Sequence, residues 1–250
     1  MTYMLDGKVA VITGASSGIG RSIAEACLAE GASVAVHGRD AAALKDLEAL
    51  APERVIAVAG DVTRRADLEN LVARTIERFG AVDAVIPNAG MAKVIAFADS
   101  DEAAIEEQFS VNFVGAVQTA RLFLPHIRKG GAIVFVTTFL VQVGFPGLAV
   151  YSASKAALSS VTKTLAAELA PQGIRVNAVA PGPIATPLWG KVGLPADVLA
   201  QVGANVTARL FPGQFGAPQS IADAAVFLVS DKASNIFGQE LVVDGGYTVG

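Results

Sequence analysis

Compact apolar runs, rich in β-branched residues, alternate along this chain with longer stretches whose apolar positions recur at helical spacing. The runs predict strands over Val9–Thr13, Ser33–His37, Arg54–Ala59, Asp83–Pro87, Ala132–Thr138, Arg175–Ala180 and Glu240–Val243. The periodic stretches predict helices near Ile19–Glu30, Ala41–Leu50, Ala66–Phe79, Glu102–Arg128, Ser152–Ala170 and Ser220–Ser230. Short strands alternating with longer helices imply βαβ units and a parallel sheet. Right-handed crossovers then place helices on both faces, so the fold class is α/β, a doubly wound Rossmann architecture. No repeat, low-complexity tract or linker interrupts the pattern, and residues 1–250 read as one domain. The regularity lapses between Pro181 and Pro218, where Gly and Pro are frequent and a helical fragment falls near Ala196–Gly203. An irregular segment of this length in a compact domain is more often functional than idle. It leaves from the carboxyl end of a strand, where open α/β sheets bind ligands.

Composition narrows the picture. The 250 residues are 52% hydrophobic and 17% charged, which suits strands buried on both faces and allows apolar subunit contacts. A net charge of −4 without a basic block gives no support for nucleic acid or a membrane surface as partner. One cysteine, Cys27, excludes an internal disulfide framework, and with His37 and His126 far apart a metal site is not expected. The N-terminal run from Met1 to Lys8 lacks a signal peptide's basic flank and apolar stretch, so the expected compartment is the cytoplasm.

Candidate chemistry begins where strand Val9–Thr13 runs into Gly14-Ala15-Ser16-Ser17-Gly18-Ile19-Gly20 and a helix follows. Glycines there allow a tight turn and let backbone amides approach a pyrophosphate at the positive helix N-terminus; a purely structural turn is the alternative. After the second strand comes His37-Gly38-Arg39-Asp40. NAD-binding Rossmann folds place an acid there for the ribose 2′-hydroxyl. Gly38 stands in that place and Arg39 follows, which favours the 2′-phosphate of NADP(H), with Ser16 as a second donor. Two alternatives remain: Arg39 solvated with Asp40 capping the next helix, or Asp40 turned toward the ribose of NAD(H).

Tyr151 and Lys155, in Tyr151-Ser152-Ala153-Ser154-Lys155, project from one helix face. At about 4 Å, with an effective dielectric near 20, an ammonium would stabilise a phenolate by about 4 kcal/mol. That lowers the phenol's ordinary pKa of about 10 by three at most, and desolvation opposes it.

The glycine turn, Asn88-Ala89-Gly90, Asn112, the Tyr151/Lys155 pair and Pro181-Gly182 occur in one order and spacing. Together they closely resemble the short-chain dehydrogenase/reductase family, in its compact branch that includes 3-oxoacyl-carrier-protein-reductase-like carbonyl reductases. The resemblance extends over essentially the whole chain, to Val242-Val243-Asp244-Gly245-Gly246-Tyr247. It implies a single seven-stranded parallel sheet, dinucleotide binding, an oxidoreductase with a small-molecule carbonyl or alcohol substrate, and a homotetramer. Tyr151 would be the general acid, Lys155 would lower its pKa and hold the nicotinamide ribose, and Asn112 would hold a relay water through its side chain. The family's catalytic serine position carries Thr138, whose hydroxyl would serve the same chemistry; the alternative is that Thr138 is a plain strand-end residue and Thr137, or no hydroxyl, serves.

Further residues follow from the resemblance. Asn88, Ala89 and Gly90 would border the adenine ribose, and Asp61 with Val62 the adenine, although Asp61 could equally cap a helix. Pro181, Gly182, Ile184 and Thr186 would meet the nicotinamide amide, Ile184 through its backbone. Phe139, Leu140, Pro183, Leu188 and Trp189 would line an apolar substrate pocket beneath a lid over about 182–215; for Trp189, plain packing is the alternative. A non-catalytic NADP(H)-binding sensor would be expected to lose the Tyr or the Lys, and both are present.

Overall fold

The computed structural model describes residues 3–250; Met1 and Thr2, at the head of the N-terminal run, lie outside the described residues. Strands β1 (Val9–Thr13), β2 (Ser33–Gly38), β3 (Val55–Ala59), β4 (Val82–Ile86), β5 (Ile127–Val136), β6 (Arg175–Pro181) and β7 (Glu240–Val243) form one sheet. Their order is β3-β2-β1-β4-β5-β6-β7 and every pairing is parallel. Connections from β1 lead outward to β3, then the chain returns to β4 beside β1. All strand carboxyl ends therefore face one way, and the connections part in opposite directions between β1 and β4, the switch point at which such sheets bind ligands.

Alternation along each strand feeds two cores. From β1, Ala10 and Ile12 face one side with Ile23 and Ala24 of α1 (Gly18–Ala29), Leu44 and Leu47 of α2 (Ala41–Leu50), and Ile221 and Ala225 of the helix Pro218–Val229. Val9 and Val11 face the other, with Leu71 of α3 (Arg65–Phe79), Phe123 and Leu158. Each Ile, Leu or Phe fully buried this way contributes about 1.5–3 kcal/mol.

The structure revises several expected bounds. The long helix expected over Glu102–Arg128 is α4 (Glu102–Phe109), a π turn (Ser110–Gly115), α5 (Ala116–Phe123) and a 3-10 turn (Leu124–His126). Pro125 closes it, and Arg128 is already in β5. Strand β5 starts earlier than expected because its first residues pair irregularly with β4, and it ends at Val136, so Thr138 lies beyond it. Helix α6 (Ala149–Leu169) starts early enough to include Tyr151, and α7 extends the fragment near Ala196 to Arg209. Helix α8 is Pro218–Val229.

Arg175 of β6 ends α8 from outside it. Its guanidinium donates to the carbonyls of Leu228 (2.5 Å), Val229 (3.2 Å) and Ser230 (3.0 Å). Replacement by Met would strand buried acceptors, so Arg175→Met should lower unfolding stability by roughly 3 kcal/mol in urea titration. Arg78→Met, which removes an exposed pair with Glu53, should cost under about 1 kcal/mol.

Candidate active site

The glycine turn is sewn to the end of β4. Asn88 Nδ2 donates to the carbonyls of Thr13 (2.9 Å) and Gly14 (3.3 Å). Thr13 Oγ1 accepts from the amides of Asn88 and Ala89, each at 3.1 Å. A Cβ on Gly20 would lie 2.3 Å from the Gly14 carbonyl oxygen and 2.4 Å from Asn88 Nδ2, so only glycine fits. Ser17 precedes α1 without a side-chain cap, leaving first-turn amides for an anion. This cradle fits a dinucleotide diphosphate. Sequence reasoning missed Thr13; its signal was a hydroxyl at a strand end directly before the first glycine.

At the adenosine side, a Cβ on Gly38 would sit 2.6 Å from Ser16 Oγ. Arg39 is exposed and makes no ion pair among the described residues. Asp40 Oδ1 accepts from the amides of Ala42 and Ala43, both at 3.1 Å, as the cap of α2. Asp61 accepts from the Thr63 amide (2.9 Å) and hydroxyl (2.8 Å), a turn just before α3, whose N-cap is Arg64; Asp61 does not cap that helix. Burial alone would raise the Asp61 carboxyl's pKa; the Thr63 bonds, with Arg39 and His37, outweigh it and hold the pKa low. Val62 packs where a Gly115 Cβ would be, 2.8 Å away, tying this loop to the π turn. His37 is fully buried with neither ring nitrogen hydrogen-bonded among the described residues. Burial pushes its pKa down, against the pull of Asp67 and Asp61.

At the reacting end, Lys155 is 3% exposed and its Nζ donates to the Val136 carbonyl at 2.7 Å. Burial lowers its pKa to about 8. Burial likewise raises the Tyr151 phenol, with a hydrogen bond to Thr138 pulling the other way. The expected lowering of the tyrosine by the lysine is thus reversed, because desolvation penalises both charged forms. Thr138 is buried, and its Oγ1 accepts weakly from the Leu140 amide at 3.4 Å. Thr137 instead donates to the Val179 carbonyl at 3.2 Å, inside the sheet.

Asn112 sits in the π turn with no exposed surface. Its Oδ1 accepts from the Met91 amide (2.8 Å), and its Nδ2 donates to the Met91 carbonyl (2.9 Å) and to Ser154 Oγ (3.0 Å). Both amide hydrogens are therefore committed within the protein, and only an Oδ1 lone pair is left for a water. Ser154 passes the link on, donating to the Tyr151 carbonyl at 2.7 Å. Sequence reasoning missed Ser154, although it stands directly before Lys155. At Gly90, a Cβ would lie 3.3 Å from both Asn112 Oδ1 and Lys155 Nζ.

The irregular segment leaves β6 at Pro181, and Gly182 N donates to the Val243 carbonyl at 2.9 Å. Ile184 and Gly216 then form a parallel bridge: Ala185 N donates to Gly216 O (2.9 Å) and Gly216 N to Pro183 O (3.0 Å). Such a bridge works through the neighbours of Ile184, leaving its own N–H and C=O side by side on the opposite edge. A primary amide matches that donor–acceptor pair. Thr186 carbons lie 3.4 Å from where a Gly18 Cβ would be, so the segment's base rests on the glycine turn. Leu188 is half-buried. Trp189 donates from Nε1 to the Ile184 carbonyl at 2.9 Å and packs its ring on Phe215 at 5.0 Å. Phe139 and Leu140 are buried against Tyr247, Val206 and Leu210, and Tyr151 packs against this cluster.

A parallel sheet with a dinucleotide cradle, and at its rim a half-buried Tyr151 with buried Thr138 and Lys155, fits an oxidoreductase acting at a CH–OH or C=O carbon. Residues 14–248 match the family described as enoyl-(acyl carrier protein) reductase. The chain is 39% identical over 250 residues to cis-4-hydroxycyclohexanecarboxylate dehydrogenase of Sinomonas cyclohexanicum, covering 96% of each. It is 34% identical over 251 residues to a 3-oxoacyl-[acyl-carrier-protein] reductase of Thermotoga maritima, covering 98% of this chain and 99% of that one. A solved short-chain dehydrogenase/reductase of Brucella melitensis, described as a glucose/ribitol dehydrogenase, matches at TM-score 0.92 and 32% identity over 99% of each chain. The chain belongs to the short-chain dehydrogenase/reductase family, whose members use NAD(P)(H). No helix among the described residues is long and apolar enough to cross a membrane.

Lys155 gives a test of the site's electrostatics. Its native pKa of about 8 lies below the ordinary 10.5, so between them the unfolded chain holds more protons and stability rises with pH. The gain is cleanest between about 8 and 9, because Cys27 (ordinary pKa 9.0) is pushed up to about 12 in the fold and offsets the lysine's contribution above that. Urea titrations of the cofactor-free chain should show this rise, and Lys155→Met should remove it.

Proposed function

We propose that this chain is an NADPH-dependent reductase of apolar ketones or aldehydes, working in reverse as an alcohol dehydrogenase. The observation that carries this reading is Tyr151 packed at the edge of the apolar cluster of Phe139, Leu140, Val206, Leu210 and Tyr247, on one helix with the buried Lys155. When bound, NADPH supplies the hydride. Thr138 donates to the carbonyl oxygen as charge develops on it, and Tyr151 gives that oxygen its proton. Burial keeps the phenol protonated at neutral pH, which suits reduction; oxidation needs the phenolate. Lys155, on the same helix as the tyrosine and still largely an ammonium at pH 7, would hold the nicotinamide ribose. Asn112 and Ser154 hold the tyrosine's helix against the loop after β4.

Three features support NADP(H) over NAD(H). Ser16 Oγ fills the space above Gly38 where an acid's side chain would begin, Asp40 is engaged as a helix cap, and Arg39 is free to meet a 2′-phosphate. Residues 182–215 act as the substrate lid on a single catalytic domain. The relative described as a glucose/ribitol dehydrogenase favours a second reading, oxidation of a sugar or polyol, against which the apolar walls around Tyr151 stand. A homotetramer in the cytoplasm completes the proposal, by analogy with the family.

Consumption of NADPH and of NADH at 340 nm against a panel of ketones, diketones and an acyl-thioester tests this reading. Turnover should prefer NADPH, and Arg39→Ala should reduce that preference about ten- to hundredfold. Tyr151→Phe should cut turnover by about 10²–10⁴ while leaving cofactor affinity nearly unchanged. NADH preferred by the unaltered chain overturns the cofactor assignment; a fully active Tyr151→Phe overturns the acid.

A further inference from the structure

The Ile184 carbonyl is already engaged. Its N–H and C=O form the paired edge suited to a primary amide, yet the carbonyl accepts the Trp189 indole N–H at 2.9 Å. The indole reaches back from the turn Trp189–Lys191, and its ring leans on Phe215 at 5.0 Å and 48°. Phe215 directly precedes Gly216, the other side of the bridge. Trp189 therefore joins both limbs of the segment's neck and covers the acceptor at its edge.

We propose that Trp189 is a positioning residue that competes with the nicotinamide amide for the Ile184 carbonyl. The indole holds the neck together in the cofactor-free chain and yields the carbonyl when the dinucleotide seats, releasing the turn that carries it. This rests on the dinucleotide reading above. Part of the cofactor's binding free energy is thereby spent on displacing the indole, and the same displacement couples cofactor arrival to movement of residues 185–215. Trp189 is the single tryptophan of the chain, so its emission reports the event directly.

The test is calorimetric titration of the unaltered chain and of Trp189→Phe with NADP⁺ and with 2′-phospho-ADP-ribose, which lacks the nicotinamide. Phenylalanine keeps a ring against Phe215 and removes the N–H. The variant should bind NADP⁺ about two- to tenfold more tightly, the worth of one net hydrogen bond, and the amide-free fragment with unchanged affinity. In the unaltered chain, NADP⁺ should shift tryptophan emission to the red, and the fragment should not. Unchanged or weaker NADP⁺ binding by Trp189→Phe, or an equal gain for the fragment, overturns the competition. If the unaltered chain binds neither NADP⁺ nor NAD⁺, the dinucleotide reading itself fails, a result distinct from either.

Discussion

Hydrogen bonds between Thr13 and the start of the loop after β4 are the constraint on which the site depends. Parallel strands diverge once their ladder ends, and nothing in β1 and β4 alone would keep their two exits in register. Thr13 Oγ1 takes two amides from that loop, and the Asn88 side chain returns two bonds to the turn. From Met91 the chain of contacts passes to Asn112, then to Ser154, then to the Tyr151 carbonyl. A line of hydrogen bonds, joined by the backbone from Ala89 to Met91, thus runs from the glycine turn to the backbone of Tyr151. Every member is buried or partly so, where each bond is stronger than in water and a missing partner is expensive.

The same burial decides the charge state of the site. Lys155, Tyr151 and His37 are each driven toward their neutral forms by loss of water. Among the described residues the lysine's Nζ donates only to a backbone carbonyl, and the charge–charge attraction expected between the tyrosine and the lysine does not set the phenol's state. Burial thus favours the protonated phenol of Tyr151 over the phenolate. Under the reduction proposed above, that is the form able to give a carbonyl oxygen its proton.

Much of this architecture was legible in the chain itself. Val9–Thr13, Ala41–Leu50 and Glu240–Val243 have the bounds their apolar pattern predicted, because caps and turns at their ends agree with the periodicity. The interruption of the long helix was not legible: a π turn has no sequence signature, and Ser110–Gly115 reads as ordinary helix. Thr13 and Ser154 escaped notice because hydroxyl residues in regular elements usually satisfy themselves locally. Asp40 could not be assigned from sequence, since a cap and a ribose ligand demand the same residue type; only its two bonds to the amides of α2 separate them. Trp189's partner is a backbone atom, which no side-chain pattern announces.

The bridge between Ile184 and Gly216 also bears on how such a chain diversifies. It fixes the two ends of the segment beside each other, so that what lies between is a closed loop hanging from the sheet. Closure entropy grows only with the logarithm of loop length, by about 0.6 kcal/mol for each doubling. Exposed stretches of residues 185–215 can therefore change length at little closure cost, whereas Val192, Val206 and Leu210, buried against the rest of the chain, have to be kept. Under the lid role proposed above, substrate range becomes a property that evolution, or an engineer, can rewrite in one contiguous stretch of the gene.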